Sequence, residues 1–292
     1  MKIAILGPEG TFCDKAYEEY KNSQSGIDLK PEFYPSVDEV FAAVEEGCDL
    51  GIVPVENTLD GYVQRTLDLL LEQDVHVIAE NRVPVHFSLV GNVSELSEIK
   101  KLYVQFKTNG QCRRFIRELS PEKIITTESN MESFYAIGDE PGAAAIVPHH
   151  ILSKAGDRFI VEDVTDATSN FTRFCVFEKG VIPSDFLTAE AMVPFMRESA
   201  GAPSEGLVGM SAFIMPAVDR PGILYMILRN FYENQINLVS IMSRPTKQSL
   251  GTYNFYIELQ APTNRLDKML DTLNQIHVYN DIKVIGVYGD QE

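Results

Sequence analysis

The stretch SNFTRFCV, residues 169–176, places an amide, a hydroxyl and a guanidinium at the entrance of a strand that the pattern predicts to be buried. A strand whose sheet is covered by helices normally carries apolar side chains on both faces. Asn170, Thr172 and Arg173 break that rule, and burying such groups unpaired costs on the order of 1–3 kcal/mol each, with more for the charge. They must therefore satisfy one another or meet a ligand.

Composition and charge narrow the classes of partner. The chain has 292 residues, of which 45% are hydrophobic, enough for one large core or two smaller ones. Its formal net charge is −17 and no basic run exceeds two residues, which argues against a nucleic-acid or anionic-membrane partner. An anionic ligand must then be held by local donors, such as helix N-termini and single arginines.

Cysteine usage and the N-terminus bear on the compartment. None of the four cysteines lies in a CxxC pair or near histidines at metal-ligand spacing, so the sequence predicts no metal site. The lack of a disulfide framework indicates a reducing compartment. The first strand begins at Lys2 without a signal-peptide pattern, and no apolar run reaches transmembrane length, so we expect a cytoplasmic protein.

The order of strand and helix signals divides the chain. Residues 1–178 alternate the two, which predicts parallel sheets, and a restart near residue 84 predicts two lobes with a ligand between them. Within them, Gln111–Leu119 is expected to be one helix. Residues 180–207 are rich in Pro, Gly and acidic residues, which indicates a linker. Residues 208–289 have the order βαββαβ, which predicts a ferredoxin-like unit.

Two further polar clusters follow predicted strands. LGPEGTF, residues 6–12, offers small residues and a helix N-cap, Thr11, but lacks the spacing of nucleotide-binding loops. VPVENTLDG, residues 53–61, places Glu56 and Asn57 where open α/β sheets bind ligands. Each cluster is explained equally well as a ligand site or as a capped helix entrance.

The order and spacing of three motifs identify a family. GPEGTF (7–12), VPVENTLDGYVQRTLDLL (53–70) and NFTRF (170–174) resemble the GPxGTFS, PIENSxxGxVxxTLDLL and NxTRF patterns of prephenate dehydratases. PGIL (221–224) and INLVSIMSRP (236–245) resemble the ACT regulatory domain of the same family. The resemblance starts near residue 3 without a chorismate mutase segment, so we expect the monofunctional form.

This resemblance implies an architecture and a reaction. Residues 1–179 would form a two-lobed catalytic domain similar to periplasmic binding proteins, with lobe 1 at about 1–80 and 160–179 and lobe 2 at about 84–158. An ACT domain would follow at 208–289. The implied reaction converts prephenate to phenylpyruvate, with loss of CO2 and water, in L-phenylalanine biosynthesis. It needs no cofactor, because aromatisation drives it.

The resemblance also implies residue roles. Thr172 would protonate the leaving hydroxyl, assisted by the charge of Arg173, which with helix N-termini would also hold carboxylates. The other implied catalytic residues are Asn57, Glu56 and Gln111, and the implied substrate-binding residues are Gly10, Thr11, Thr58, Asn170 and Phe174. The implied regulatory site, with L-phenylalanine as its candidate ligand, consists of Gly222, Leu224, Asn237, Leu238, Ser243 and Arg244.

Three departures from the family patterns leave alternatives open. A serine and a histidine of the family are Val104 and Gln105 here, with Lys107 or Thr108 as candidate replacements. The ACT glutamate is Met242, from which we expect weak phenylalanine feedback. An arogenate dehydratase, or a catalytically impaired ligand-binding paralogue, remains an alternative. ACT modules usually pair, so we expect a homodimer or a homotetramer.

Overall fold

A computed structural model describes residues 1–24, 26–167, 169–183, 187–192, 195, 206–218 and 220–289. It contains two sheets with helices packed on them, and the predicted α/β class is confirmed. Both sheets mix parallel and antiparallel strand pairs, so the expectation of parallel sheets is wrong. The larger sheet has ten strands: β1 (Lys2–Leu6), β2 (Lys30–Tyr34), β3 (Leu50–Asn57), β4 (Gly61–Tyr62), β5 (Val75–Pro84), β11 (Phe171–Lys179), β12 (Leu207–Pro216), β13 (Asn237–Pro245), β14 (Tyr253–Pro262) and β15 (Asn280–Gly289). The smaller sheet has five: β6 (Phe87–Gly91), β7 (Lys101–Gln105), β8 (Lys123–Thr127), β9 (Ala143–Pro148) and β10 (Phe159–Val161).

The helices mostly connect these strands. The α-helices are α1 (Phe12–Ser23), α2 (Val37–Glu46), α3 (Gln64–Glu72), α4 (Phe106–Gln111), α5 (Arg113–Leu119), α6 (Asn130–Ala136), α7 (Ala189–Met192), α8 (Ile223–Asn234) and α9 (Leu266–His277). Short 3-10 helices lie at Leu96–Glu98, His149–Lys154 and Thr263–Arg265.

Strand β11 decides how distant sequence clusters meet. The larger sheet has the order β13-β14-β12-β15-β5-β11-β3-β1-β2, with β4 beside β3. β11 lies antiparallel between β3 and β5, and its register sets Thr172 opposite Asn57 on one side and Val83 on the other. Directly opposite residues have Cβ atoms only about 4.5–5.5 Å apart. Residues separated by 115 positions therefore become neighbours.

The smaller sheet has the order β10-β6-β9-β7-β8. β10 pairs with β6, so Phe159–Val161 belongs to the smaller sheet. The lobe boundary expected from the sequence, near residue 160, assigned the end of this strand to lobe 1. The polypeptide passes between the sheets twice, near Val85 and again after β10.

Local sequence explains most helix starts. Ser36 is the N-cap of α2, as the capping-box pattern predicts, because its hydroxyl accepts from the Glu39 N–H at 3.2 Å. The Glu39 carboxylate accepts from the same hydroxyl at 3.1 Å. Thr11 is the N-cap of α1, as expected. Gln111–Leu119 is not one helix: α4 and α5 meet at Cys112, whose φ of −123° and ψ of 26° interrupt the helical path. Its buried thiol packs in the core of the smaller sheet.

Strands β12–β15 and helices α8 and α9 follow the predicted βαββαβ order. One face of these strands packs against α8 and α9, and the other brings Phe213, Tyr256 and Ile285 into the core beneath the larger sheet. In the segment expected to be a linker, Leu187 and Met192 are buried in the C-terminal core. Residues 184–186, 193, 194 and 196–205 of that segment lie outside the described residues.

Candidate active site

A cavity of about 440 Å³ opens between the two sheets. Its walls are the ends of β1 and β3, the entrance of β11, and the N-terminal ends of α1, α3, α4 and α6. Helix N-termini carry partial positive charge, which favours anions. The cavity is therefore suited to a small anionic ligand in spite of the negative charge of the chain.

The hydroxyl of Thr172 is held by an amide inside this cavity. The Asn57 side chain donates from Nδ2 to Thr172 Oγ1 at 2.9 Å. Asn57 Oδ1 accepts from the backbone N–H groups of Leu59 (3.0 Å) and Asp60 (3.1 Å), which fixes the direction of the amide. Because Thr172 Oγ1 already accepts a hydrogen bond, its own proton is available to a group in the cavity.

A second amide contact joins the two sides of the cavity. Asn170 Oδ1 accepts from Asn57 Nδ2 at 3.0 Å, and Asn170 Nδ2 donates to Gln111 Oε1 at 3.3 Å. Asn170 is only 1% exposed, whereas Asn57 and Gln111 line the cavity. The structure thus brings these three predicted residues together with Thr172, but it places Asn170 behind the cavity wall.

Arg173 lies on the other face of β11. Successive side chains of a strand point to opposite faces, so Thr172 faces the cavity and Arg173 faces away. The guanidinium, 13% exposed, contacts the carboxylates of Glu56 at 3.0 Å, Glu80 at 3.1 Å and Glu258 at 2.5 Å. Arg173 and Glu56 thus form an ion cluster with the C-terminal strands and do not line the cavity, which differs from the expectation that Arg173 holds a substrate carboxylate.

The other expected substrate residues divide in the same way. Thr11 and Phe174 line the cavity, whereas Gly10 and Thr58 do not. Thr58 Oγ1 instead donates to the Phe171 carbonyl oxygen and accepts from the Phe171 N–H, each at 2.9 Å. Gly10 has φ of +84°, a left-handed conformation that favours glycine.

The departures near β7 change what the smaller sheet offers. Val104 is buried in the core, and Gln105 caps α4 by accepting from the N–H groups of Lys107 (2.8 Å) and Thr108 (3.2 Å). Gln105, Lys107 and Thr108 all line the cavity. The Lys107 side chain is 71% exposed and its Nζ lies 3.9 Å from Asp60.

Sequence reasoning missed Asp60 and the wall at the start of α6. Glu128, Ser129 and Asn130 line the cavity there, and Asn130 Oδ1 accepts from Thr108 Oγ1 at 2.7 Å. The signal was present, because Ser129 follows a strand and caps a helix as Thr11 does. Among the described lining residues, Lys107 carries the positive charge and Asp60 and Glu128 carry the negative charges.

The expected regulatory residues lie elsewhere: Gly222 and Leu224 at the start of α8, and Asn237, Leu238, Ser243 and Arg244 on β13. Arg244 is engaged, because it donates to the Asp68 carboxylate on α3 at 2.7 and 3.0 Å. Lys283 supports the same helix by donating to the carbonyl oxygens of Leu70 and Leu71. The C-terminal strands therefore hold the far end of a helix whose start lines the cavity.

Two features are absent from the described ranges. No group of three or more His, Cys, Asp or Glu side chains is placed to hold a metal ion. No helix there has both the length and the apolar character needed to cross a membrane.

Comparison with known proteins gives consistent matches. The family model for prephenate dehydratase matches residues 3–181. A prephenate dehydratase of Methanocaldococcus jannaschii is 30% identical over 296 residues, covering 96% of this chain and 95% of that protein. The crystal structure of the Staphylococcus aureus prephenate dehydratase has a TM-score of 0.78 at 26% identity and covers 99% of this chain and 100% of its own. The Arthrobacter aurescens enzyme in complex with L-Phe has a TM-score of 0.77 at 28% identity, covering 99% and 90%.

The ion cluster predicts a large stability effect at Arg173. Arg173→Met leaves three buried or half-buried carboxylates without their shared cation, so we expect the free energy of unfolding to fall by about 3–5 kcal/mol. Urea unfolding measures it, with the exposed Arg117→Met as the matched control, expected within about 0.5 kcal/mol of wild type. A stability loss no larger than that of the control would contradict this structural role.

His150 predicts a dependence of stability on pH. Its Nε2–H donates to the Gly10 carbonyl oxygen at 3.1 Å, and burial lowers its pKa from 6.5 to about 4. Between those values the unfolded chain binds a proton that the folded chain does not, so stability falls as pH falls, by up to about 1.4 kcal/mol per pH unit. His150→Gln keeps a donor but does not titrate, so its loss between pH 7 and 5 should be smaller by about 1–2 kcal/mol. Equal losses of stability in the wild type and the variant, measured by urea unfolding, would contradict the role assigned to His150.

Proposed function

The chain belongs to the prephenate dehydratase family, and we propose that its cavity carries out the reaction of that family with Thr172 as the proton donor. The reaction is a lyase step in which prephenate loses CO2 and water to give phenylpyruvate, in L-phenylalanine biosynthesis. The chemistry needs a proton for the departing hydroxyl and a grip on two carboxylates.

The proton balance assigns a defined task to Thr172. The ring carboxylate leaves as CO2, its bonding electrons move into the ring, and the hydroxyl on the opposite ring carbon leaves with one added proton as water. Thr172 Oγ1 supplies that proton and later regains one from solvent. The negative charge that develops on Oγ1 is stabilised by the Asn57 N–H that already points at it.

One observation carries this assignment: the 2.9 Å bond from Asn57 Nδ2 to Thr172 Oγ1 inside the cavity. A threonine hydroxyl is a weak acid, so it needs a fixed donor that stabilises its conjugate base. Asn57 is such a donor, because the backbone N–H groups that bind its Oδ1 prevent the amide from turning.

The carboxylates of prephenate would be held mainly by neutral donors. The guanidinium of Arg173 is engaged by three carboxylates on the other face of β11. The cavity offers instead the N-terminal ends of α1 and α3, the side-chain amide of Gln111 and the ammonium of Lys107. Thr11 and Phe174 complete the wall around the ring.

The domain organisation is part of this proposal. We assign residues 1–179 to a two-lobed catalytic domain of the periplasmic-binding-protein type, which is supported by two sheets with a cavity between them. Residues 208–289 are assigned to an ACT regulatory domain, which is supported by their βαββαβ order. L-phenylalanine is the proposed regulatory ligand, since the A. aurescens relative was crystallised with it.

The outer edge of the larger sheet supports self-association. β13 is the terminal strand, and its Val239 and Ile241 side chains are 54% and 38% exposed. An uncovered edge strand with apolar side chains tends to pair with another chain. We propose that the chain forms a homodimer or a homotetramer and that it is located in the cytoplasm. Light scattering of the purified protein tests the oligomeric state.

A specific observation keeps arogenate as a second candidate substrate. Asp60 and Glu128 line the cavity, and either carboxylate could accept the ammonium group that distinguishes arogenate from prephenate. The ratio of kcat/KM for the two substrates decides between them.

Thr172→Val tests the proposed proton donor. The change keeps the shape of the side chain and removes the hydroxyl, so kcat for prephenate should fall by about 10²–10⁴-fold. Thr172→Ser retains the hydroxyl and should recover most of the activity. Phenylpyruvate formation, followed by its absorbance in alkali, gives both values. A Val variant as active as wild type would refute the assignment.

Met242 predicts weak feedback. This thioether packs against the core beneath the larger sheet and offers no carboxylate to the ammonium group of an amino acid. We therefore expect L-phenylalanine at micromolar concentrations to change the initial rate by less than about twofold, because a missing charge-assisted hydrogen bond weakens binding by roughly tenfold or more. Strong inhibition at micromolar phenylalanine would show that another group replaces the acid.

A further inference from the structure

We propose that Asn170 is a positioning residue that fixes the direction of the Gln111 amide and so makes Gln111 a hydrogen-bond donor to a substrate carboxylate. The inference rests on the proposed function, because it concerns how the cavity holds that substrate. Asn170 does not touch the cavity and acts through its neighbours.

The direction of the chain of amides is set at one end by the backbone. A side-chain amide can point either way unless its partners are of one kind only. Leu59 and Asp60 present backbone N–H groups, which can only donate, so the Asn57 oxygen must face them. Asn57 Nδ2 then faces Thr172 and Asn170 as a donor.

Asn170 links the orientation of the Asn57 amide to that of the Gln111 amide. Asn170 is 1% exposed, so reversing its amide would leave a buried polar group without a hydrogen-bond partner. Since Asn57 donates to it, the Asn170 oxygen must point to Asn57 and its Nδ2 must point to Gln111. The hydrogen bond to Gln111 Oε1 is 3.3 Å long.

The orientation of the Gln111 amide determines which of its groups faces the cavity. With Gln111 Oε1 engaged, its NH2 group remains for a ligand, and Gln111 lines the cavity. The reversed amide would present a carbonyl oxygen to a doubly charged anion. This direction matters because the described lining residues carry two carboxylates, Asp60 and Glu128, against the single ammonium of Lys107.

Asn170→Asp tests the inference with little change in shape. The introduced carboxylate can accept from Asn57 but cannot donate to Gln111, so the Gln111 amide turns and the donor is lost. At pH 8 we expect KM for prephenate to rise about tenfold or more, with a smaller change in kcat. Lowering the pH protonates the introduced carboxyl, which then donates to Gln111, so the KM ratio to wild type should shrink.

The double variant separates the amide effect from local charge repulsion, and a distant variant controls for the added net charge. Asn230→Asp adds the same charge on α8, far from these amides, and should leave the pH profile of KM unchanged. If Asn170 acts through Gln111, the effect of Asn170→Asp on KM should largely vanish in the Gln111→Ala background. A full effect in that background, or a KM ratio that does not vary with pH, would overturn the proposal.

Two further outcomes are distinguishable. If the Asp variant does not fold, Asn170→Leu, which is apolar and of similar size, enters the same cycle with Gln111→Ala, and additive effects on KM would count against the inference. Wild-type protein that leaves prephenate unchanged would overturn the proposed function itself. An active wild type with additive variants would overturn the role of Asn170 alone.

Discussion

The alternation of side chains along β11 is the constraint on which the site depends. Thr172 and Arg173 are adjacent in sequence, yet the pleat sends them to opposite faces of the sheet. One face meets the cavity, where Asn57 holds the Thr172 hydroxyl. The other meets the C-terminal strands, where Glu258 binds the guanidinium. A short motif therefore contributes both to the candidate active site and to the contact between β11 and the C-terminal strands.

The ion cluster around Arg173 makes the C-terminal strands part of the support of the cavity. Glu56 lies on β3 and Glu80 on β5, so Arg173 ties its own strand to both neighbours as well as to β14. Arg244 and Lys283 hold α3 in a similar way. The helix α3 starts at the cavity. Two elements of the cavity wall, β11 and α3, are therefore held in place by contacts with residues after position 207.

The sequence predicts the α/β class, the capped helix starts and the three polar clusters, because those depend on local patterns. Asn57 and Thr172 could be named because they lie in polar clusters at the ends of strands, whereas Gln111 was named only through the resemblance to the family pattern. The alternation of side chains implies that Arg173 faces away from Thr172, but its three carboxylate partners could not be predicted, since they depend on pairing with strands distant in the sequence. The pairing of β10 with β6 and the break at Cys112 were missed because short elements take their form from tertiary contacts.

A crystal structure of the protein with phenylpyruvate bound would test the central claim most directly. We expect a ligand between the two sheets, with its oxygen atoms about 3 Å from Thr172 Oγ1 or Gln111 Nε2 and none on the Arg173 guanidinium. A carboxylate of the ligand paired with Arg173, with the contacts to Glu56, Glu80 and Glu258 broken, would contradict it.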